Sequence, residues 1–441
     1  MAFSRRETAL LVIGDFCSLV LALWLALLLR NLAIPTTGYF LEIVGPFVPI
    51  FLLSLVIFFI GGLYEKRTKL VRSAMGTRIL GAQGANTIIA ATIFFLLPLS
   101  IAPKTILVLY LITSVVLVSI FRFYATPALS AHHPKKAVLI GTGAAVDELY
   151  EEVKGNKSYG LYFAERIDTA AGNTLSEARS FAERGIEAFV VDTRDPRVAR
   201  ELPALYEAFL SNAALIDFSS FYEDVFDRVP VDHVDYAWLV DILPKRRVFY
   251  DAGKRIFDFL FAAVLSVISL LFIIPAILVL MLLGGSPLIY HERIGKGEKR
   301  FRIVKLRTML FNDHGDPELQ KKNRVTAFGH FLRKTRIDEL PQLWNILLGD
   351  LSFIGPRPEL PAIAAVYERE VPYYRARHLI APGLSGWAQI RDYDAPRGAA
   401  DVERTRRKLS YDLYYLARRS WGLDIAIVLK TLRTLAALSG T

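Results

Sequence analysis

The chain has 441 residues, 53% of them hydrophobic, a formal net charge of +10 at pH 7 and a single cysteine, Cys17. Those values exclude a disulfide framework and a cysteine-based metal site, and with a mean hydropathy of +0.35 they call for membrane segments before any soluble fold is argued. The excess of cations suits anionic lipid, a phosphorylated substrate or nucleic acid.

Four apolar runs fill the first 125 residues, at about 9–29, 43–63, 79–97 and 104–122. Each approaches the roughly 20 residues needed to cross a bilayer, which predicts a four-helix transmembrane bundle over 1–125. The first run is too long for a signal-peptide core, so no cleavable signal is expected. Arg5 and Arg6 precede the first run, Lys66, Arg67, Lys69, Arg72 and Arg78 lie between the second and third, and Arg122, Lys135 and Lys136 follow the fourth. The other two loops carry only Arg30 and Lys104, so both ends of the bundle are expected in the cytoplasm. Asp15 in the first span reads either as a functional intramembrane charge or as a side chain bonded within the bundle.

Residues 134–245 alternate strand-like and helix-like segments. Lys136–Ile140 reads as a buried strand, Gly141-Thr142-Gly143 follows, and Ala188–Asp192 and Ala214–Asp217 read as further strands. This predicts a Rossmann-like α/β domain. Its dinucleotide fingerprint is incomplete, because Val146 stands where the third small residue belongs and no strand-ending acid is evident about 20 residues on. A scaffold or regulatory domain is therefore expected, with nucleotide binding as the alternative.

The third region, 250–441, opens with an apolar stretch over about 257–283, interrupted by Pro275 and flanked by Lys254, Arg255, Arg293, Lys296, Lys299 and Arg300. A single crossing would put everything after it outside. Basic residues on both flanks and a helix-kinking proline predict a re-entrant hairpin returning to the cytoplasmic face. Two later stretches, around 404–416 and 423–438, read either as basic amphipathic helices on the membrane surface or as core-facing helices.

Three clusters can do chemistry. Arg333-Lys334-Thr335-Arg336-Ile337-Asp338-Glu339 sets two carboxylates beside three cations, an arrangement that suits Mg²⁺ and a phosphorylated ligand, or else a surface ion-pair network. Pro356-Arg357-Pro358 restricts the backbone around a guanidinium able to grip phosphate, though prolines also mark plain loops. In Phe301–Met309, strand alternation would point Lys305 and Arg307 together, as a diphosphate clamp or as a solvated basic face.

Taken in order, these segments resemble the monotopic phosphoglycosyl transferases, the bacterial sugar transferases, in their large form. The matching stretches are Lys254–Asp258, Glu292–Gly295, Phe301–Met309, Asp338–Asn345, Gly349–Pro358 and Pro382–Gln389. The resemblance implies a catalytic α/β domain with a re-entrant membrane helix and interfacial helices in a bacterial inner membrane, its active site on the cytoplasmic side. It implies Asp338 as nucleophile toward a UDP-sugar, Glu339 as the second acid of a dyad, and release of UMP. The phosphosugar, by default a hexose phosphate, would pass from Asp338 to undecaprenyl phosphate as the first membrane step of exopolysaccharide, capsule or O-antigen assembly. Lys305, Arg307, Arg333 and Arg357 are the expected phosphate-binding residues, Pro275 the helix-kinking residue, and Mg²⁺, held by Asp338 and Glu339, the expected cofactor. The chain departs from the family at Ile274, where a small polar residue is usual, and at Ile390-Arg391-Asp392-Tyr393, where an Asn-Gly-Arg-like turn is usual. Arg391 or Arg397 is a candidate for the missing nucleotide contact. Membrane lipid is an expected partner and nucleic acid is not, because the cations border apolar segments. A homodimer through the bundle or middle domain is one arrangement the sequence allows. The competing classes are a membrane-anchored nucleotide-sugar dehydratase or oxidoreductase, which requires a complete fingerprint, and a silent scaffold, which would be favoured by loss of a dyad carboxylate.

Overall fold

The computed structural model describes residues 5–64, 79–87, 89–90, 92, 104–125, 134–154, 156, 159–171, 177–178, 180–181, 184–200, 203, 213–242, 247–311, 323–391 and 401–436. The chain divides into two compact units, Met1–Val225 and Phe226–Thr441.

In the first unit, helices α1 (Arg5–Asn31), α2 (Thr37–Ile60) and α3 (Lys104–Ile120) are apolar on nearly all faces. Their stretches Ala9–Asn31, Thr37–Ile60 and Thr105–Tyr124 are each long and apolar enough to cross a membrane. Of the expected third run, residues 79–87 are helical, whereas most of the rest and the loop of Lys66, Arg67, Lys69, Arg72 and Arg78 lie outside the described residues. Asp15 is fully buried and pairs with Arg122, whose Nε donates to it at 3.1 Å, while the Tyr64 hydroxyl donates at 2.7 Å. Arg122 also donates to the Leu63 carbonyl at 2.9 Å. A buried, hydrogen-bonded ion pair joins the interior of α1 to the segments that follow α2 and α3, the second of the two sequence readings.

The same unit holds a parallel sheet of β1 (Lys135–Ile140), β2 (Leu161–Ile167), β3 (Ala188–Val191) and β4 (Ala214–Asp217), in the order β2-β1-β3-β4. Helix α4 (Ala144–Lys154) follows β1. The β2 strand was not legible in the sequence, because its polar and apolar residues mix (LYFAERI) and no apolar run marks it. Its recognition places an acid, Asp168, at a strand end next to β1, where none was expected. Asp168 accepts a hydrogen bond from the Ala170 amide at 2.9 Å, and this bond is the leading cause of its depressed pKa.

The second unit begins earlier than the expected boundary near 250. After α5 (Phe218–Phe226), Val229, Val231, Val234 and Trp238 pack against Tyr367, Tyr374, Leu409 and Leu413. The segment leading through α6 (Tyr236–Ile242) is thus part of the C-terminal core. Helix α7 (Val248–Leu282) runs 35 residues and continues through Pro275. Asp258, Ala262, Ser269, Ile273, Ala276 and Leu280 form one buried stripe at helical spacing, and apolar side chains such as Phe257, Leu260, Val264, Val267, Leu271 and Leu278 are exposed around it. Next come an antiparallel hairpin, β5 (Leu288–Ile294) with β6 (Arg300–Leu306), then α8 (Ala327–Thr335), a 3₁₀ turn at Ile337–Gln342 and α9 (Leu343–Leu348). Strand β7 (Ser352–Ile354), helix α10 (Pro361–Glu370), a 3₁₀ turn at Tyr374–Leu379 and strand β8 (Gly383–Ser385), parallel to β7, follow. Helices α11 (Trp387–Arg391), α12 (Val402–Arg418) and α13 (Trp421–Ala436) close the unit.

The two C-terminal stretches separate. Helix α12 buries Leu409, Tyr411, Leu413, Tyr415 and Leu416 in the core, so its apolar face has a protein partner. Helix α13 buries Ile427 but exposes Trp421, Ile425, Val428 and Leu432. The first is a core helix and only the second carries an apolar surface of the interfacial kind.

Candidate active site

Two packing contacts set the site on α7. Leu343 and Ile346 of α9 lie on Ala262, while Leu306 and Leu332 lie on Ala276 and Leu280. Arg255 caps α9 by donating to the carbonyls of Ile346 at 2.6 Å and Leu347 at 2.8 Å, which satisfies groups a helix C-terminus leaves open. The turn carrying Asp338 and Glu339 therefore hangs between two segments fixed to the same membrane-type helix.

Entry into that turn requires Arg336 to adopt φ +59°, a left-handed conformation costing an L-residue about 1 kcal/mol. It ends α8 and redirects the chain so that Asp338 is buried, at 7% exposure, with Glu339 beside it. The Lys305 ammonium donates to Glu339 Oε1 at 2.6 Å, and the Arg336 guanidinium lies 3.6 Å from Oε2. Burial raises the Glu339 pKa, but Lys305, Arg357 and Arg336 together overcome this and hold it below the ordinary value. Asp338 behaves in the opposite way. Burial and the Glu339 charge push it up to about 6 against the pull of Lys305, Arg333 and Arg336. Its Oδ1 is buried without a hydrogen-bond partner. An unpartnered carboxylate oxygen ringed by cations is a reactive arrangement rather than a stabilising one.

The expected phosphate ligands divide. Lys305 faces the dyad. Arg333 lies in its field and is steadied by a bond from Nε to Thr308 Oγ1 at 2.9 Å. The Arg357 guanidinium is exposed, with no hydrogen bond or ion pair to any described residue, yet its charge reaches Glu339. Arg307 does not join them. Strand β6 ends at Leu306, so strand alternation no longer governs residue 307. Its buried guanidinium donates to the carbonyls of Leu280, at 3.2 Å, and Gly284, closing the end of α7. Arg391 is engaged too: it pairs with Asp227 and stacks over Trp387, while Asp392, Tyr393 and Arg397 lie outside the described residues.

Sequence reasoning missed the supports of the Arg357 loop. Arg377 donates to the Arg357 carbonyl at 3.0 Å, to Tyr374 at 2.7 Å and to Asp412 at 3.0 Å. Lys408 and Arg377 both pair with Glu359. Gly383 N donates to Pro356 O at 2.9 Å, an approach that leaves no room for a Cβ on Gly383, since it would stand 2.1 Å from Gly355 N. Only the charge-rich composition of 375–412 hinted at this buried network; the pairing partners are too distant in sequence to be read.

Among the described residues no three His, Cys, Asp or Glu side chains gather to hold a metal. Both Glu339 oxygens face cations, and Asp338 Oδ1 is the open ligand. That donor set fits Mg²⁺, which is commonly bound by one or two carboxylates with substrate phosphates filling other positions.

A carboxylate dyad held against a membrane-type helix, with one unpartnered oxygen among cations, defines a membrane-associated transferase. The profile of the family described as bacterial sugar transferase matches residues 249–437. The chain is 39% identical over 259 residues to UDP-N-acetylgalactosamine-undecaprenyl-phosphate N-acetylgalactosaminephosphotransferase of Aeromonas hydrophila, covering 56% of this chain and 59% of that protein. It is 38% identical over 196 residues to UDP-glucose:undecaprenyl-phosphate glucose-1-phosphate transferase of Caulobacter vibrioides, covering 44% of this chain and 73% of that protein. With exopolysaccharide production protein PSS of Rhizobium leguminosarum it shares 36% identity over 187 residues, covering 40% of this chain and 92% of that protein. The chain belongs to the bacterial sugar transferase family. It spans just 59% of the Aeromonas relative's length.

Proposed function

We propose that the protein transfers a sugar-1-phosphate from a UDP-sugar to undecaprenyl phosphate at the cytoplasmic face of a bacterial inner membrane. The observation that carries this reading is the buried, unpartnered Oδ1 of Asp338, set among Lys305, Arg333 and Arg336. Asp338 attacks the phosphorus next to the sugar, an aspartyl–phosphate bond forms, and the bond to UMP breaks with its electron pair leaving on UMP. An oxygen of the lipid phosphate then attacks the same phosphorus and frees Asp338. Dividing the transfer in two lowers each barrier. Lys305, Arg333 and Arg357 orient the phosphates and offset their charge. Glu339, kept ionised by Lys305, steadies the cations around Asp338. Mg²⁺, for which Asp338 Oδ1 is the open ligand beside Glu339, would neutralise further charge when bound.

The two attachments of α7 support a re-entrant reading of that helix. Arg255 near its start and Leu280 near its end both contact the elements that carry the dyad, so its two ends serve one face. The Aeromonas and Caulobacter proteins are named for N-acetylgalactosamine and glucose donors. Both support a hexose-type phosphosugar, and the name of the Rhizobium relative, an exopolysaccharide production protein, supports its use in a polysaccharide. The test is UMP release by the purified protein with Mg²⁺, undecaprenyl phosphate and a panel of UDP-sugars. The parent releases UMP with at least one donor and Asp338→Asn releases almost none; parental turnover in Asp338→Asn sinks the assignment.

A further inference from the structure

Beside the cations already assigned, the site holds Arg293, which the transfer chemistry above does not use. Arg293 is in β5, where register pairs it with Phe301, while Lys305 pairs with Ile289. Residues directly opposite in an antiparallel pair share a face, and every second residue returns to it, so Arg293 and Lys305 stand on the same face of the hairpin. Four residues of β6 separate their positions, about 13 Å at a rise of about 3.3 Å per residue. The Arg293 guanidinium reaches the loop that presents Arg357: its NH1 donates to the Pro358 carbonyl at 3.4 Å, and the next amide, Ile294 N, donates to Glu359 O at 3.0 Å. Its Nε is buried and has no partner. The adjacent acid, Glu359, is committed to Lys408 and Arg377. The charge of Arg357 bears on both Arg293 and Glu339, and Glu339 bears on Arg293 as well, so the three share one electrostatic neighbourhood. A guanidinium with an orphaned buried N–H, bonded to the loop that presents Arg357, itself exposed and unpaired among the described residues, is complementary to an anion.

In an in-line displacement the departing group lies on the far side of the phosphorus from the attacking oxygen. With Asp338 attacking, the leaving phosphate is directed away from Asp338, and cations outside the immediate dyad are needed to receive it. We propose that Arg293, with Arg357, holds the phosphate that departs with the nucleoside, so that Lys305 and Arg333 serve the transferred phosphate and Arg293 and Arg357 the leaving one. This rests on the transfer reading, and names a substrate-binding residue within it.

The test is calorimetric titration of the full chain in lipid nanodiscs with UMP and with uridine, for the parent, Arg293→Gln and Arg293→Lys. Loss of a charged hydrogen bond weakens UMP binding by at least about tenfold in Arg293→Gln and less in Arg293→Lys. Uridine affinity and the unliganded unfolding midpoint stay at parental values. In turnover, KM for the UDP-sugar rises and KM for undecaprenyl phosphate does not. Parental UMP affinity in Arg293→Gln, an equal loss for UMP and uridine, or an equal rise in both KM values each overturns the assignment. A parent that still releases UMP under any of those outcomes leaves the transfer reaction standing.

Discussion

The Lys305 ammonium lies 2.6 Å from Oε1 of Glu339, and this bond, with the charges of Arg357 and Arg336, holds Glu339 down while burial holds Asp338 up. Glu339 stays ionised, while Asp338, one residue away, keeps an unpartnered oxygen and a raised pKa. Lys305→Met removes the charge that pulls both carboxylates down. UMP release should fall by about 100-fold or more, the scale of losing one preorganised electrostatic contact. Lys305→Arg restores charge without the same fit and should recover part of the rate. Turnover in Lys305→Met within threefold of the parent would separate the pair from catalysis.

Gly329 is where α8 meets the end of the hairpin. A Cβ there would stand 1.8 Å from the Thr308 carbonyl oxygen and 2.6 Å from its carbon, both backbone atoms that cannot swing aside. Thr308 also takes the Arg333 bond, so the same contact positions the proposed phosphate ligand. Gly329→Ala should lower stability by about 2 kcal/mol, the scale of overpacking, and lower activity with it. Gly422, near the start of α13, has nothing within 4 Å of where a Cβ would stand, and Gly422→Ala should be neutral or slightly stabilising. Thermal unfolding of both variants in detergent checks the contrast.

The site was legible where its chemistry is local. Asp338-Glu339 and Lys305 are read from charge density and a strand pattern, and the structure brings them together. Arg307 was misdirected because strand alternation was carried one residue past the strand's end, where the helix carbonyls of Leu280 and Gly284 compete for it. Arg293 and Arg377 were invisible as site residues because their roles depend on contacts with the loop at 356–359, far along the chain. In the first unit, the apolar helices follow from composition, whereas β2 is specified by its neighbour β1 rather than by its own pattern.

The double attachment of α7 makes a topological prediction. Cys17 is the only native cysteine, so Cys17→Ala gives a clean background for Asp251→Cys and Ser286→Cys, which bracket the apolar helix. Both should react with a membrane-impermeant maleimide in inverted vesicles, and neither in intact spheroplasts. Labelling of the two positions from opposite sides would establish a simple crossing. Pro275→Ala restores a helical hydrogen bond that proline cannot make and should shift the balance toward that crossing, with loss of activity.

Acid should weaken the catalytic unit through His378. Burial, reinforced by the Arg377 charge, lowers its pKa to about 4 against the opposing pull of Glu298 and Glu359, and its ring packs edge-on to Tyr374 at 5.8 Å. Arg375 adds to the repulsion. The folded protein therefore keeps this histidine neutral, while the unfolded chain protonates it near pH 6.5. Its contribution is whole above pH 6.5, falls by up to about 1.4 kcal/mol per pH unit as pH drops toward 4, and is constant below that. Glu359, held at about 2 by Lys408 and Arg377 despite its burial, adds a second loss, beginning near pH 4.5 and continuing down to pH 2. The two windows barely overlap, so they are separable. Asp338, raised to about 6, gains stability over much of the same window in both proteins, so it cancels in a comparison: the unfolding midpoint of His378→Gln should rise relative to the parent's as pH falls from 6.5 to 4.5, and the difference should be constant below pH 4. An unchanged slope in the upper window would place the acid sensitivity elsewhere.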